Sequence, residues 1–208
     1  MVQTISAKDI SLEELERLFN LELVEDEDFF REWLEDLPEI TDLQKQLLDQ
    51  VKAGYFNLIK KPPFLEKPIN ITIVSPILFI GEFYLAPFYI KAETSIEITA
   101  EYEGVIVKGN FDTLVLKDQI WLMIIESKRV TFSIEAGLAQ ILAYMLANPN
   151  SERPKFGMIT TGSTFIFIKL IPGNPVRYAT SNLLAIRNRG NDLYSVLRIL
   201  KRLVQLAE

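Results

Sequence analysis

Two charged residues, Glu126 and Lys128, directly follow an apolar run at residues 120–125. Such a run is typical of a strand that is buried on both faces. Because side chains alternate along a strand, Glu126 and Lys128 are expected to share a face with Leu122 and Ile124. Charged groups on a buried strand are costly unless they pair or bind something. One interpretation is a salt bridge where the strand meets solvent, and the other is a functional site.

A second carboxylate, Asp112, lies 14 positions before Glu126, across a short predicted turn. In an antiparallel hairpin the position opposite Asp112 falls near residues 124–126, which puts the two carboxylates about 5 Å apart at Cβ. Like charges at that distance repel unless a cation joins them. With the Ser127 carbonyl they would provide half of a Mg²⁺ coordination shell, while Lys128 would activate a water or stabilise an anion. This combination is typical of metal-assisted phosphodiester hydrolysis.

The composition narrows the possible chemistry, since the sequence contains no histidine and no cysteine. Their absence excludes Ser-His-Asp and Cys-His hydrolases, zinc sites of the His-Glu-x-x-His kind, thiolate metal sites and disulfides. Catalysis would have to use carboxylates, Lys, Tyr, Ser or Thr. A hard, oxygen-binding cation is the expected helper, namely Mg²⁺ with Mn²⁺ as a substitute.

Three short motifs follow one another in the middle of the chain. They are Gly-Asn-Phe-Asp at 109–112, Glu-Ser-Lys at 126–128 and Gln-Ile-Leu-Ala-Tyr at 140–144. These resemble the Gly-x-x-Asp, (Asp/Glu)-x-Lys and Gln-x-x-x-Tyr motifs of RecB-like members of the PD-(D/E)XK nuclease superfamily. The chain is also similar to the N-terminal nuclease domains of type I restriction subunits. The resemblance covers about residues 69–170 and implies a core of helix, three antiparallel strands, helix and strand.

The resemblance also implies a role for each motif residue. Asp112 and Glu126 would be metal ligands, and Lys128 would be the catalytic lysine. Gln140 and Tyr144 would line the site from the following helix. Their spacing of four residues places them on one helical face, where a polar edge residue and a core aromatic residue are the structural alternative.

Two further positions bear on the resemblance. Family members often add an acid from the first core helix, and Glu82 is the candidate metal ligand of this kind. Phe111 stands where the superfamily has the proline that gives it its name. RecB-like members often lack that proline.

The predicted fold class is α/β (α+β), with a restriction-endonuclease-like mixed central sheet flanked by helices and an acidic helical N-terminal extension. For residues 69–82 a strand over 69–74 and a helix opening at Ser75 both remain open. The other predicted elements are strands at 96–102, 105–116 and 120–128, a helix from Ser133 to about 147, a hairpin of 156–161 with 164–170, an irregular stretch holding Arg177, Arg187 and Arg189, and a final amphipathic helix capped by Asn191 or Asp192.

The N-terminal region is predicted to form helices at about 11–19, 26–36 and 41–58, the first and third with capping boxes. A break at 60–63 divides the chain into an extension, 1–60, and a nuclease-like domain, 61–208. Residues 1–50 hold 15 acidic and 4 basic residues, a net charge of −11, whereas the remainder carries +5. The acidic region therefore either masks a basic surface or binds a partner, or it is a solvated helical face.

These features predict a Mg²⁺-dependent nuclease that acts on nucleic acid, with DNA favoured over RNA. The alternative is a catalytically idle or partner-dependent binding module on the same fold. The sequence shows neither a signal peptide nor a membrane-spanning segment, so a cytoplasmic location is expected. A protein partner at the acidic region and a homodimer are further candidates.

Overall fold

A computed structural model describes residues 3–60, 66–100, 105–117, 120–127, 134–148 and 152–207 of the protein. Within these ranges the chain forms a mixed α/β structure around one mixed sheet. The strands are β1 (Gln3–Ser6), β2 (Leu21–Leu23), β3 (Phe88–Ala100), β4 (Val105–Lys117), β5 (Ile120–Ser127), β6 (Lys155–Thr160), β7 (Thr164–Ile171), β8 (Val176–Thr180) and β9 (Leu184–Ala185). The helices are α1 (Leu12–Phe19), α2 (Asp42–Leu58), α3 (Glu66–Ile69), α4 (Ser75–Ile80), α5 (Ile134–Leu146) and α6 (Leu193–Ala207), with a π-helical turn at Asn70–Val74.

The strand order across the sheet is β1-β4-β5-β6-β7-β8-β2, with β3 also paired to β4 and β9 to β7. Strands β3, β4 and β5 form an antiparallel meander, and β6 lies parallel to β5 after the crossover through α5. Strands β6 and β7 form an antiparallel hairpin. The predicted meander, the helix after it and the hairpin are therefore confirmed, while the proposed helix cap Ser133 lies outside the described residues.

Two hydrophobic clusters cover the two faces of the sheet. The first gathers α2, α4 and α6 against Phe165 and Phe167, and the second gathers α1 and α5 against Ile168 and Leu170. Because neighbouring residues of one strand point to opposite faces, this alternation in β7 requires helices on both sides. The central strands are accordingly apolar on both faces, which explains their unbroken hydrophobic runs.

The N-terminal 60 residues are not purely helical, contrary to the prediction. Helices α1 and α2 form where expected, each with a capping box, Ser11 with Glu14 and Thr41 with Gln44. Strand β1, however, pairs in parallel with β4, and β2 pairs in parallel with β8. The division at residue 60 stays a prediction, but this region supplies two strands of the common sheet.

The helix predicted at 26–36 is wrong, because residues 24–39 form turns, bends and irregular backbone. This stretch, called the acidic segment below, carries eight acidic residues and one basic residue. The Asp26 carboxylate accepts the Asp28 N–H, which competes with helical hydrogen bonding. The Phe29 carbonyl accepts a hydrogen bond from the Lys169 ammonium at 2.7 Å. Tertiary contacts thus override the local helical pattern.

Two regions for which the sequence predicts ambiguous or irregular structure form regular elements. The chain from 66 to 80 is helical rather than a strand, and Ser75 N–H bonds to the Asn70 carbonyl five residues back. The wider turn just precedes Pro76, which has no N–H and would clash with the carbonyl four residues before it. The stretch after Pro172 was expected to be irregular, yet it contains β8 and β9, both paired with β7.

Helix α6 begins as predicted, with the Asn191 side chain accepting the Leu193 N–H at 3.1 Å. In the described ranges, no helix is both long and apolar enough to span a membrane.

Candidate functional site

The burial of side chains on strand β4 changes along its length, and Asp112 lies where it changes. In the first half Val105, Val107 and Phe111 are buried, while Lys108 and Asn110 are exposed. Leu114, Val115 and Leu116 then follow as consecutive buried residues. The first half therefore has one face open to solvent, and the second half is covered on both faces. Asp112 is half-buried between them.

The neighbours of β4 explain this change. Strand β3 pairs along the whole length of β4, from Phe88 opposite Lys117 to Ala100 opposite Val105. The other edge of β4 is shared, with β1 beside residues 105–108 and β5 beside residues 113–117. The Gly-Asn-Phe-Asp motif at 109–112 thus occupies the interval between the end of β1 and the end of β5.

The register relates Asp112 to Glu126. Thr113 is paired with Ile125, and Asp112 and Glu126 are the next residues along the two antiparallel strands. This is the relation that the sequence predicts. Glu126 and Ser127 are described by their backbone, which pairs with Ile159 and Thr160 of β6. Lys128 lies outside the described residues, so its role stays a prediction.

Helix α5 reaches the same part of β4 through Gln140 and Tyr144. Both side chains are buried, Tyr144 completely. The Tyr144 hydroxyl donates to the backbone carbonyl of Asn110 at 2.8 Å and accepts from the Gln140 amide. The pair therefore holds the strand backbone two residues before Asp112, and both residues have further partners.

Gly109 makes this close approach possible. A Cβ atom at this position would lie 2.7 Å from Cε1 of Tyr144 and 2.8 Å from Cβ of Ala7, distances that real Cβ contacts avoid. Phe111, where the superfamily has proline, packs its ring edge-to-face on Tyr144 with centroids 6.0 Å apart. The glycine of the first motif and the tyrosine of the third are thus in direct contact.

Glu82, the candidate acid from the first core helix, lies in the turn after α4. Its side chain is exposed and its φ is 68°, a left-handed conformation common just beyond a helix end. It lines a groove together with Thr41, Leu43 and Leu85. Those neighbours come from α2 and the α4–β3 turn, so Glu82 contributes to a different surface from the one beside Asn110.

Another acidic residue, Glu93, occupies a register position that the sequence reasoning missed. It lies between Ala92 and Thr94, which pair with Thr113 and Phe111, so its backbone lies opposite Asp112 on β3. The sequence prediction missed it because the predicted strand covers only 96–102, and pairing residue 102 with residue 105 would put Ser95 opposite Asp112. Acidic residues therefore stand at neighbouring register positions on three adjacent strands.

Lys8 and Ser6 are the other residues that sequence reasoning missed. They line a polar cleft of about 580 Å³ with Lys108, Gly109 and Asn110, beside the first half of β4. In this cleft the Lys108 ammonium lies 2.9 Å from the Glu97 carboxylate, and both side chains are about half exposed. No local sequence pattern predicts that β1 lies beside β4, because the two strands are about 100 residues apart in sequence.

Among the described side chains, no three Asp or Glu residues converge in a way that could hold a metal ion. Comparison with known proteins adds no assignment, since no protein-family model and no curated protein matches the chain.

Proposed function

We propose that the protein is a Mg²⁺-dependent nuclease that hydrolyses phosphodiester bonds of DNA, with a restriction-endonuclease-like core. The helix ending at residue 80, the β3-β4-β5 meander, α5 and β6 follow one another in the order that the superfamily resemblance implies. The observation that carries the proposal is the register of β4 and β5. It brings Asp112 and Glu126 to adjacent positions on neighbouring strands, at the edge of an open polar face.

The donor set suits Mg²⁺, which favours carboxylate and carbonyl oxygens together with water. Asp112, Glu126 and the Ser127 carbonyl would hold the ion. When bound, it would lower the pKa of a water and neutralise charge on the phosphate oxygens. Lys128 would orient the attacking water or stabilise the developing negative charge.

Helix α5 has a positioning role in this proposal. The Tyr144 hydroxyl and the Gln140 amide fix the β4 backbone at Asn110, so the Asp112 carboxylate starts from a rigid strand. Since a displacement of about 1 Å can slow catalysis about 100-fold, loss of this support should reduce turnover.

The test is cleavage of plasmid, linear duplex and single-stranded DNA, and of RNA, in Mg²⁺ or Mn²⁺. Asp112→Ala and Glu126→Ala should each abolish cleavage because each removes a proposed metal ligand. Lys128→Ala should retain metal binding and slow turnover. Full activity of a purified Asp112→Ala protein would refute this site. Nucleic-acid binding without cleavage in any metal would favour the catalytically idle alternative.

A further inference from the structure

The polar cleft beside β1 has the composition of an anion-binding site. Every residue that lines it is polar or glycine, whereas pockets for small organic ligands are mostly apolar. Two lysines and one glutamate give the lining a net positive charge. A polar, negatively charged ligand is therefore favoured.

The floor of the cleft is formed by three adjacent strands. Ser6 of β1 pairs with Lys108 of β4, and Lys108 pairs with Glu97 of β3. Ser95 pairs with Asn110 in the same way. Three neighbouring strands span about 10 Å, which gives a shallow floor with hydroxyl, amide and ammonium groups in rows.

Lys8 is held at one side of this floor by backbone contacts. The N–H of the preceding residue, Ala7, donates to the Lys108 carbonyl at 2.7 Å. The Lys8 N–H itself bonds to the Ser6 hydroxyl at 3.2 Å. The Lys8 side chain is exposed, so its ammonium is free to meet a ligand.

The cleft leads along β4 to the proposed catalytic residues. Asn110 lines the cleft, and Asp112 lies two residues further, about 7 Å along the strand. Lysine, serine and asparagine side chains are typical contacts of nucleic-acid phosphates and sugars.

We propose that this cleft binds the phosphodiester backbone of the nucleic acid next to the bond that is cut, with Lys8 and Lys108 on successive phosphates. Glu97 holds Lys108 in the empty cleft and repels the incoming phosphate. This inference rests on the proposed function, for which it names the substrate-binding surface.

The experiment measures binding of fluorescent single-stranded DNA, duplex DNA and RNA of one sequence by anisotropy, in EDTA and over a series of salt concentrations. Lys8→Ala and Lys108→Ala should weaken binding several-fold, and each should reduce the salt slope by about 0.9 for a duplex or about 0.7 for a single strand. Glu97→Gln should strengthen binding, because it removes the repelling carboxylate and frees Lys108.

Helix α2 provides a matched control. Lys45 and Asp42 form a similar exposed pair at 3.2 Å, away from the cleft. Lys45→Ala and Asp42→Asn should leave the affinity and the salt slope close to those of the wild type. Melting curves establish that every variant is folded.

The outcomes separate this inference from the proposed function. If Lys8→Ala and Lys108→Ala bind like Lys45→Ala, or if Glu97→Gln weakens binding, the cleft is not the binding surface. The nuclease assignment survives that result if Asp112→Ala still abolishes cleavage. If the lysine variants lose binding but no metal supports cleavage, the cleft stands and the catalytic assignment falls. The nucleic acid most affected by the two lysine substitutions identifies the substrate class.

Discussion

Two ion pairs of the molecule, Lys108 with Glu97 and Lys169 with Glu32, differ in how far their side chains are exposed. On the open half of β4, Lys108 and Glu97 are about half exposed and pair with each other. Beneath the acidic segment, the Lys169 side chain is only 9% exposed, and it pairs with Glu32 while donating to the Phe29 carbonyl. The first pair is free to exchange partners, whereas the second is fixed by burial.

Basic residues that follow the acidic segment in sequence hold it at several points, beside the packing of Phe30 in the core. Arg198 donates to the Pro38 and Leu37 carbonyls at 2.9 and 3.0 Å. The guanidinium of Arg177 lies 5.4 Å from the centre of the Phe29 ring. A basic side chain that donates to backbone carbonyls acts as a substitute for secondary structure. The positive charge of the C-terminal region is therefore partly used to hold the fold.

The difference shows that net charge alone does not locate a nucleic-acid surface. Lys169 and Arg198 contribute to the basic balance of residues 51–208, yet both are committed to the acidic segment. Lys8 and Lys108, in contrast, line an open polar cleft. Burial and the nature of the partner, rather than the number of lysines, distinguish basic residues that hold the fold from those that could bind nucleic acid.

The largest expected effect concerns the covered region. Lys169→Met should lower the free energy of unfolding by about 3–5 kcal/mol, because it leaves the partly buried Glu32 carboxylate without its partner. Urea unfolding measures this loss. Oε2 of Glu32 is already buried without a hydrogen-bond partner in the described residues, so adding Glu32→Gln should recover part of it. Nuclease activity per folded molecule should not change, and a loss below 1 kcal/mol would contradict the structural role.

Lys155 is buried like Lys169, and its ammonium donates to the Asn148 carbonyl at 3.1 Å. Burial lowers the pKa of Lys155 to about 8. Between pH 8 and about 10.4, the unfolded chain binds more protons than the folded protein, so stability should rise with pH. The gain is on the order of 3 kcal/mol.

The measurement is the free energy of unfolding of the wild type and of Lys155→Met across this pH range. The wild type should gain stability relative to the variant as pH rises. Burial and a hydrogen bond to Glu16 raise the pKa of Tyr178, which opposes the gain above pH 10. Both proteins share Tyr178, so their difference isolates Lys155. A difference that is constant from pH 7 to 10 would contradict the lowered pKa.

Gly109→Ala should disturb the open region through packing alone. Its methyl group would overlap Tyr144 and Ala7, and overpacking of this kind costs about 1–3 kcal/mol. Cleavage should fall as well, since β4 would shift near Asp112. Tyr144→Phe is the matched variant, because it removes only the hydroxyl with its bonds to Asn110 and Gln140, each worth about 1 kcal/mol. An alanine variant as stable and active as the wild type would show that the close approach is unimportant.

The elements around the candidate site could be predicted where the signal is local. The apolar run before Glu126 predicted a central strand, and the antiparallel register of Asp112 followed from the short turn predicted at 117–119. The helix carrying Gln140 and Tyr144 was recognisable from its Ala- and Leu-rich composition. In each case the pattern involves residues that are close together in sequence.

Long-range pairing could not be predicted in the same way. Strand β1 has four residues, and its partner Lys108 lies about 100 positions away, so no local pattern puts Lys8 in the cleft. The acidic segment has a helical apolar pattern, but Lys169 and Arg198 capture its backbone carbonyls. Both failures arise because tertiary contacts outweigh weak local preferences.

The most direct test of the central claim asks whether Asp112 and Glu126 form a cation site. It consists of melting curves in EDTA and in Mg²⁺ or Mn²⁺ for the wild type, Asp112→Asn and Glu126→Gln. At ten times the dissociation constant, metal should stabilise the wild type by about 1.4 kcal/mol, or about 3–6 °C.

Both variants should lose most of that shift, and in EDTA both should be as stable as the wild type or more so, because carboxylate repulsion is relieved. Glu97→Gln, an exposed acid of the neighbouring cleft, should keep the shift. If Glu126→Gln instead loses about 3–5 kcal/mol in EDTA and the wild type shows no metal shift, Glu126 serves a structural salt bridge and the proposed metal site is wrong.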